Sequence, residues 1–381
     1  MITIQTPGKL MLAGEWAVLE QKPCIVMAID KYVETNIEEA RQSTLKTPYM
    51  DELEFVFEKN KIRFRKILMN KQKADLLYAK HALETFLRFM AENANPIKSF
   101  RLETKSHDTT IEINDDENKS KTQKLGFGSS AAICVAIGTA IMKLYEYDIN
   151  DKKIKDVIFK LASIAHFTAQ EFRGSCFDIA ASVYGGVLYY NAFNSLWLKN
   201  ELNTKRTEEK KTILEVLDGD WPGLKVKKIK LPDNIRVLCC YTGEASSTNI
   251  MMMSMDRFKN KDYSNYIRII DEIETDVDSI IDSFDFNNDR EVKMMIHKNQ
   301  SDIIELNHES KAELLTKELE KAIEIANDND CVGKISGAGG GDCAIAFCFN
   351  EENCEKVTNA WEKAKLYPID VNLSIDGIKE M

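Results

Sequence analysis

Residues 124–132 read Lys-Leu-Gly-Phe-Gly-Ser-Ser-Ala-Ala, and an apolar, alanine-rich segment follows them to about Tyr145. This segment is too long and too apolar for a single strand, so it predicts a buried helix. Residues 126–130, which we call the glycine turn, therefore lie at a helix N-terminus.

A helix N-terminus attracts anions because several backbone N–H groups are unpaired there and the helix dipole adds partial positive charge. Gly126 and Gly128 let a ligand approach the backbone, and the hydroxyls of Ser129 and Ser130 can bind a phosphate oxygen or Mg²⁺. The glycine turn therefore predicts a nucleotide-phosphate site. Alternatively, one serine is an ordinary N-cap and the glycines only form a tight turn, since short glycine motifs are unspecific.

The chain has 381 residues, which is too long for one ordinary core, so we predict two domains. A charged stretch at 199–211 is followed by Trp221-Pro222-Gly223, which breaks the pattern. We therefore place the boundary near residue 222, with one domain at 1–222 and another at 223–381.

The composition is that of a globular protein with a net charge of -10. A negative field repels nucleic acids and anionic membranes, so we expect neither as a partner and predict a small, enclosed ligand. No run approaches the roughly 18 apolar residues of a membrane span. The N-terminus has no secretory pattern, and the nine cysteines show no paired metal spacing. We expect a cytoplasmic protein with reduced thiols.

Hydrophobic periodicity gives a mixed element order in the first half. It predicts strands near 3–11 and 24–29, with a turn at Pro7-Gly8, and antiparallel strands at 34–64 joined at 59–61. It also predicts helices at 74–90 and 154–172. The polar run at 114–122 is typical of a mobile surface loop and could act as a lid.

The second half predicts a ferredoxin-like alternation of strands and helices. The pattern gives a strand at 235–241, two long helices across 263–326, a strand at 344–349, a helix from Glu352 and a closing strand near 371–375. A second glycine-rich stretch, 336–341, offers consecutive backbone donors with little side-chain bulk. The alternative interpretation of residues 336–341 is a flexible hinge loop. The mixed order of strands and helices in both halves predicts the α+β fold class.

Two charged residues are candidates for chemistry. Lys9 lies beside Pro7-Gly8, where a cation can point into a cleft, although a single lysine is commonly just solvated. Asp178 lies near the start of a small-residue helix that stops at 185–186, and a capping carboxylate is its structural alternative.

Three motifs resemble, in order, those of the GHMP small-molecule kinases: residues 7–19, 126–132 and 334–343. The resemblance spans nearly the whole chain. It implies an N-terminal ATP-binding domain similar to the second domain of ribosomal protein S5, a C-terminal ferredoxin-like domain, and a cleft between them. Two residues depart from the usual motifs: Cys176 stands where glycine is common, and Phe127 where leucine is usual.

The resemblance also implies roles for particular residues. Lys9 and Asp178 match the catalytic lysine and aspartate, and Ser130 matches the serine that contacts Mg²⁺. The residues expected to hold the ATP phosphates are Lys124, Gly126, Phe127, Gly128, Ser129, Ser130 and Ala131. The residues expected to contact the acceptor are Lys9, Ser175, Asp178, Ser246, Ser247, Ser336, Gly337, Ala338 and Gly339.

Within the family, the residues at 13–16, 174–178 and 242–247 resemble those of members with one particular activity. The resemblance implies ATP- and Mg²⁺-dependent phosphorylation of (R)-5-phosphomevalonate to 5-diphosphomevalonate, in the mevalonate route to isoprenoids. Such an acceptor needs cations besides Lys9, and Lys22, Arg173 and Lys334 are weaker candidates. Mevalonate kinase, another alcohol kinase of the family, diphosphomevalonate decarboxylase and a non-catalytic ligand sensor are the alternatives. We expect a monomer or a homodimer.

Overall fold

The computed structural model describes residues 1–106, 110–114, 120–203, 211–243, 248–286 and 288–381. Within them the strands are β1 (Ile2–Ala13), β2 (Pro23–Glu39), β3 (Thr44–Thr47), β4 (Met50–Glu58), β5 (Lys61–Phe64), β6 (Phe100–Ser106), β7 (Thr110–Asn114), β8 (Ser120–Lys124), β9 (Val187–Asn191), β10 (Lys225–Ile229), β11 (Arg236–Tyr241), β12 (Val332–Ser336), β13 (Cys343–Cys348), β14 (Tyr367–Ile369) and β15 (Lys379–Glu380). The α-helices are α1 (Asn70–Asp75), α2 (Leu77–Glu92), α3 (Ser129–Leu144), α4 (Lys152–Ala169), α5 (Phe177–Tyr184), α6 (Ser195–Asn203), α7 (Ile213–Asp218), α8 (Thr248–Lys261), α9 (Tyr263–Phe286), α10 (Asp289–Ser310), α11 (Lys317–Asp328) and α12 (Glu351–Lys363).

A nine-stranded sheet forms the base of the first half, in the order β10-β9-β2-β6-β3-β4-β5, with β1 pairing with β2 and β15. Pro7 and Gly8 lie inside β1, at a shift in its register with β2, so the predicted turn at these residues is wrong. Here β1 passes close to the glycine turn, because a Cβ atom at Gly8 would lie 2.8 Å from the carbonyl oxygen of Phe127.

Helices α2, α3 and α5 pack against this sheet, and α4 packs against these three helices. The predicted buried helix is confirmed as α3, in which most side chains from Ala131 onward are buried. An apolar helix without a polar face is stable only when other elements surround it, as they do here. The helices predicted at 74–90 and 154–172 and the hairpin at 59–61 are also confirmed.

The loop predicted at 114–122 is wrong for the described residues of this run. Strand β8 begins at residue 120 and pairs with β7 in a two-stranded antiparallel hairpin. Residues 115–119 lie outside the described residues. The hairpin leads directly into the glycine turn.

The second half is built on a four-stranded antiparallel sheet in the order β12-β13-β11-β14, with helices packed against it. This confirms the predicted α+β class. The two long helices predicted across 263–326 are three, α9, α10 and α11. The breaks have local causes: the Asn288 side chain caps α10 by accepting from the backbone N–H groups of Arg290 and Glu291, and Lys311 ends it in a left-handed conformation.

The C-terminal segment connects the two halves. The closing strand predicted near 371–375 is wrong, since this segment makes one isolated bridge, Leu373 to Ile29, and β14 precedes it. Strand β15 pairs with β1, and β10, just beyond residue 222, pairs with β9. The boundary at 222 stays a prediction, but the large sheet continues past it. In the described part of the chain, no helix is both long and apolar enough to cross a membrane.

A buried acidic pair joins α9 and α10. The Lys298 ammonium donates to carboxylates of both Asp276, at 2.7 Å, and Asp302, at 2.8 Å. Burial and, next in size, the hydrogen-bonded carboxyl group of Asp302 raise the pKa of Asp276 to about 7, although Lys298 opposes the shift. Asp276 therefore binds a proton more tightly in the folded protein than in the unfolded chain.

Candidate active site

A cleft of about 490 Å³ lies where residues of both halves of the chain meet. Its walls come from β1 and the residues after it, the glycine turn, the start of α5, and the turn after β12. All three sequence motifs therefore contribute to one cavity.

The glycine turn has a shape that side chains would fill. Gly128 is the N-cap of α3 and has a φ of 76°, which disfavours residues with a Cβ atom. A Cβ atom there would lie 3.1 Å from Cγ of Lys9 and 3.4 Å from Cβ of Asp178. One at Gly126 would lie 3.1 Å from Oδ2 of Asp342. The turn therefore leaves an open cradle at the positive end of α3.

Lys9 points from β1 into this cradle and is only 8% exposed. Its backbone N–H donates to the carbonyl of Phe127 at 2.9 Å, and its Nζ donates to the carbonyl of Gly126 at 2.7 Å. Nζ also lies 5.6 Å from the ring centre of Phe177, and a Cβ atom at Gly337 would lie 4.0 Å from it. The ammonium group therefore lies between the two glycine-rich turns.

Asp178 lies in the first turn of α5, where the helix dipole favours a carboxylate. Its Oδ1 accepts from the backbone N–H of Ile179 at 3.0 Å. The preceding Cys176 adopts a left-handed conformation with a φ of 61°, which explains why glycine suits this position. Lys9 and Asp178 both line the cleft, yet no ion pair within 4.0 Å joins them in the described chain.

Ser130 lines the cleft from the first turn of α3, and its hydroxyl contacts a residue that the sequence did not reveal. Its Oγ lies 3.3 Å from Nε2 of His166, which is 2% exposed on α4. Burial lowers the pKa of His166, and the carboxylate of Asp178 opposes the shift. His166 sits among apolar residues at helical spacing, a pattern that gives no signal of a site.

The other residues predicted to hold the ATP phosphates fall into two groups. Lys124 and Ser129 line the cleft, and the Lys124 ammonium lies 4.4 Å from the ring centre of Tyr49. Phe127 and Ala131 are fully buried, so their side chains lie in the core and only their backbones face the turn.

The residues predicted for the acceptor are also divided. Gly337 and Ala338 line the cleft, whereas Ser175, Ser336 and Gly339 do not. The Ser336 hydroxyl accepts from the backbone N–H of Met11 at 3.1 Å and donates to its carbonyl at 3.0 Å.

The remaining contacts of this group are structural. The Ser175 carbonyl accepts from the hydroxyl of Tyr190, and Gly339 packs against the carbonyl of Leu314. Ser246 and Ser247 lie outside the described residues. The acceptor roles of the whole group stay predictions.

Two of the additional cations are engaged by carboxylates. Lys22 pairs with Asp271 at 2.8 Å and Glu274 at 2.6 Å. Lys334 is fully buried and pairs with Glu15, which is also fully buried. Burial lowers the pKa of Lys334, and Glu15 opposes the shift. Neither ammonium group is therefore available to a ligand in the cleft.

Glu15 and Asp342 belong to the motifs, but the sequence assigned neither a role. Glu15 holds Lys334, and Asp342 lines the cleft opposite Gly126. An acidic residue in a motif can be an ion-pair partner or can face a ligand, and the two roles look the same in the sequence. The structure shows that Glu15 is a buried ion-pair partner and that Asp342 faces the cleft.

The residues of the cleft fit both ATP and Mg²⁺. The cradle free of side chains, the positive helix end and Lys9 suit a phosphate chain. Mg²⁺ prefers oxygen ligands, and the lining residues with side-chain oxygens are Ser129, Ser130, Asp178 and Asp342.

Comparisons with known proteins identify relatives of the whole chain. The family profile "GHMP kinases N terminal domain" matches residues 78–186, and "GHMP kinases C terminal" matches residues 281–367. A phosphomevalonate kinase of Streptomyces sp. (strain CL190) is 25% identical, over 99% of this chain and 98% of its own. A mevalonate kinase of Thermococcus sibiricus is 24% identical, with the same coverage of 99% and 98%.

Solved structures show the same fold. Streptococcus pneumoniae phosphomevalonate kinase in complex with phosphomevalonate and AMPPNP has a TM-score of 0.77 at 20% identity, covering 98% of this chain and 100% of that one. The Lin0012 protein of Listeria innocua has a TM-score of 0.85 at 24% identity, covering 100% and 99%.

Proposed function

The chain belongs to the GHMP kinases, and we propose that it transfers the γ-phosphoryl group of ATP to the phosphate of (R)-5-phosphomevalonate, giving 5-diphosphomevalonate. The observation that carries this proposal is the meeting of Lys9, Asp178 and the glycine turn in one cleft. The full-length similarity to a phosphomevalonate kinase supports the choice of acceptor.

Lys9 has the central electrostatic role in this proposal. Phosphoryl transfer requires in-line placement and neutralisation of charge more than covalent chemistry. A lysine ammonium has three donors, and Gly126 accepts one of them, so the others remain for phosphate oxygens. The N-terminus of α3, which lies beside Lys9, adds backbone donors.

Mg²⁺, when bound, neutralises phosphate oxygens and helps to hold them in line. Ser130 would hold it, with Asp178 and Asp342 as the nearby carboxylates that line the cleft. Each of these side chains supplies oxygen, the ligand atom that this ion prefers.

The role of Asp178 depends on the acceptor. A phosphate monoester has a second pKa near 6, so it is mostly dianionic at neutral pH and needs no strong general base. Asp178 then orients the acceptor and takes up the residual proton. An alcohol must instead lose its proton during transfer, so with mevalonate the same carboxylate would act as a base.

Mevalonate is the second candidate acceptor, and the charge balance of the cleft favours it. In the described lining the cations are Lys9 and Lys124, and the carboxylates are Asp178 and Asp342. Phosphomevalonate brings more negative charge into this balance than mevalonate does. Mevalonate kinases also match the chain over its full length.

A substrate panel tests the proposal. ADP release is measured with ATP, Mg²⁺ and either mevalonate, phosphomevalonate or diphosphomevalonate, with no-acceptor samples as background. We expect kcat/KM for phosphomevalonate to exceed that for mevalonate at least about tenfold, which corresponds to roughly 1.4 kcal/mol. The reverse preference would establish the alcohol kinase, and release of CO₂ from diphosphomevalonate would establish the decarboxylase.

A further inference from the structure

We propose that His166 and Tyr78 are positioning residues that orient the Ser130 hydroxyl, so that a lone pair of its oxygen faces the cleft. The inference rests on the proposed function, in which Ser130 holds the metal. Neither His166 nor Tyr78 lines the cleft, so both would act through Ser130.

Side chains from three helices meet behind Ser130. His166 on α4 places Nε2 at 3.3 Å from the serine oxygen. Its ring stacks on Tyr78 of α2, with ring centres 5.0 Å apart and planes inclined by 26°. The Tyr78 hydroxyl lies near the side chains of Gln170 and Ser130. The serine on α3 is therefore contacted by a buried imidazole ring, which itself stacks on the half-buried ring of Tyr78.

The unpartnered nitrogen of His166 indicates the direction of its hydrogen bond. Nδ1 is buried and has no hydrogen-bond partner among the described residues. An orphaned N–H donor is rarer in folded proteins than an under-satisfied acceptor, so we assign a proton to Nε2. Nε2 then donates to Ser130, and this direction is the same whether or not Nδ1 also carries a proton.

The donor on Nε2 decides how the serine hydroxyl can be used. A hydroxyl has one proton and two lone pairs. His166 takes one lone pair, and the oxygen of Tyr78 can accept the proton, which leaves the second lone pair for a ligand. Since Ser130 lines the cleft, that lone pair is available to a hard cation there.

If His166 served only to pack against its neighbours, an imidazole ring would not be needed. A phenyl ring could stack on Tyr78 in the same way and would avoid the cost of burying two ring nitrogens. Among the described residues, the one side-chain hydrogen bond of His166 is that with Ser130. The imidazole is therefore best explained by what it does to the serine.

The test compares His166→Phe, which keeps the ring, with His166→Gln, which can return an N–H donor near the position of Nε2. His81→Phe is the matched control, since His81 is a half-buried histidine of α2 away from the cleft. Binding of Mn²⁺ with AMPPNP is measured by electron paramagnetic resonance without any acceptor. We expect His166→Phe to weaken Mn²⁺ binding about tenfold, His166→Gln to restore most of it, and His81→Phe to match the wild type.

Steady-state kinetics and a double variant complete the test. His166→Phe should lower kcat and raise the Mg²⁺ concentration for half-maximal activity, with the acceptor KM unchanged. Adding it to Ser130→Ala should cause no further loss of Mn²⁺ affinity. Losses that multiply in the double variant, or normal Mn²⁺ binding in His166→Phe, would overturn the inference.

Two outcomes separate this inference from the proposed function. If His166→Phe does not fold, Tyr78→Phe replaces it, and wild-type Mn²⁺ binding by that variant would overturn the inference. If the wild-type protein binds no Mn²⁺ with AMPPNP, the kinase proposal itself fails. The choice of acceptor does not affect either binding result.

Discussion

Replacing Lys334 with methionine should destabilise the protein strongly, because the change leaves a carboxylate buried alone. Lys334 and Glu15 both have fully buried side chains and form an ion pair. Lys334 also donates to the carbonyl of Ile335 at 2.8 Å. The other carboxylate oxygen of Glu15 already lacks a partner among the described residues. Methionine is similar in length and flexible, so the main change is loss of the cation.

The expected loss follows from the burial of both groups. Removing one partner of a buried ion pair costs about 3–5 kcal/mol of unfolding free energy, because the remaining charge keeps its desolvation penalty. Replacing both partners with apolar residues of similar size is often close to neutral. The Glu15→Met, Lys334→Met double variant should therefore lie within about 1 kcal/mol of the wild type, far from the sum of the single losses.

Equilibrium urea unfolding at pH 7, followed by tryptophan fluorescence and circular dichroism, measures these losses. Lys22→Met is the control: it removes a pair in which the lysine and Asp271 side chains are 25% and 55% exposed, so it should cost less than about 1 kcal/mol. The reasoning is wrong if Lys334→Met costs no more than that control. It is also wrong if the double variant loses the sum of the two single losses.

Three further predictions concern the cleft and the pH dependence of stability. Lys9→Ala should lower kcat about 10² to 10³-fold, whereas Lys22→Ala should keep near-normal turnover in an ADP-release assay; equal losses would contradict the role of Lys9. Gly128→Ala should weaken AMPPNP binding more than about tenfold by calorimetry, because a Cβ atom at a φ of 76° enters the phosphate cradle; unchanged affinity would exclude that site. The pKa of Asp276 is raised to about 7 in the folded protein, above its unfolded value. Protonation of Asp276 therefore stabilises the fold fully only at low pH, and the unfolding free energy of the wild type should fall as pH rises from about 4 to about 7. Asp276→Asn should remove this slope in urea unfolding between pH 5 and pH 8, and a persisting slope would assign it to another group.

The sequence predicted the features that have a local backbone signature. The glycine turn, the start of α3 and the carboxylate at the start of α5 each follow from a few neighbouring residues. The cradle at Gly128 could be predicted for the same reason, because glycine there supplies a conformation that other residues rarely adopt.

Features that depend on distant partners could not be predicted. Glu15 and Lys334 are 319 residues apart, and Ser130 and His166 belong to different helices. The strand expected at 371–375 failed for a related reason, since a strand forms only where a sheet edge accepts it. In this protein β14, at 367–369, already pairs with β11.

The contacts between the first and third motifs change how their residues should be interpreted. The Ser336 hydroxyl is hydrogen-bonded to the backbone of Met11, and Lys334 forms an ion pair with Glu15. The indole of Trp16 donates to the carbonyl of Ala338 at 3.2 Å. These contacts connect the first motif to the third and so fix one wall of the cleft against the other.

Motif membership alone therefore does not show that a residue touches substrate. With Lys22 and Lys334 engaged by carboxylates, Lys9 is the cation that the described structure places between both glycine-rich turns. In the described lining of the cleft the cations are Lys9 and Lys124, so we expect any phosphorylated acceptor to share them with the nucleotide, because opposite charges stabilise a transferring phosphoryl group only at short range. We therefore expect the balance between these two lysines and the carboxylates of Asp178 and Asp342 to influence which acceptor binds.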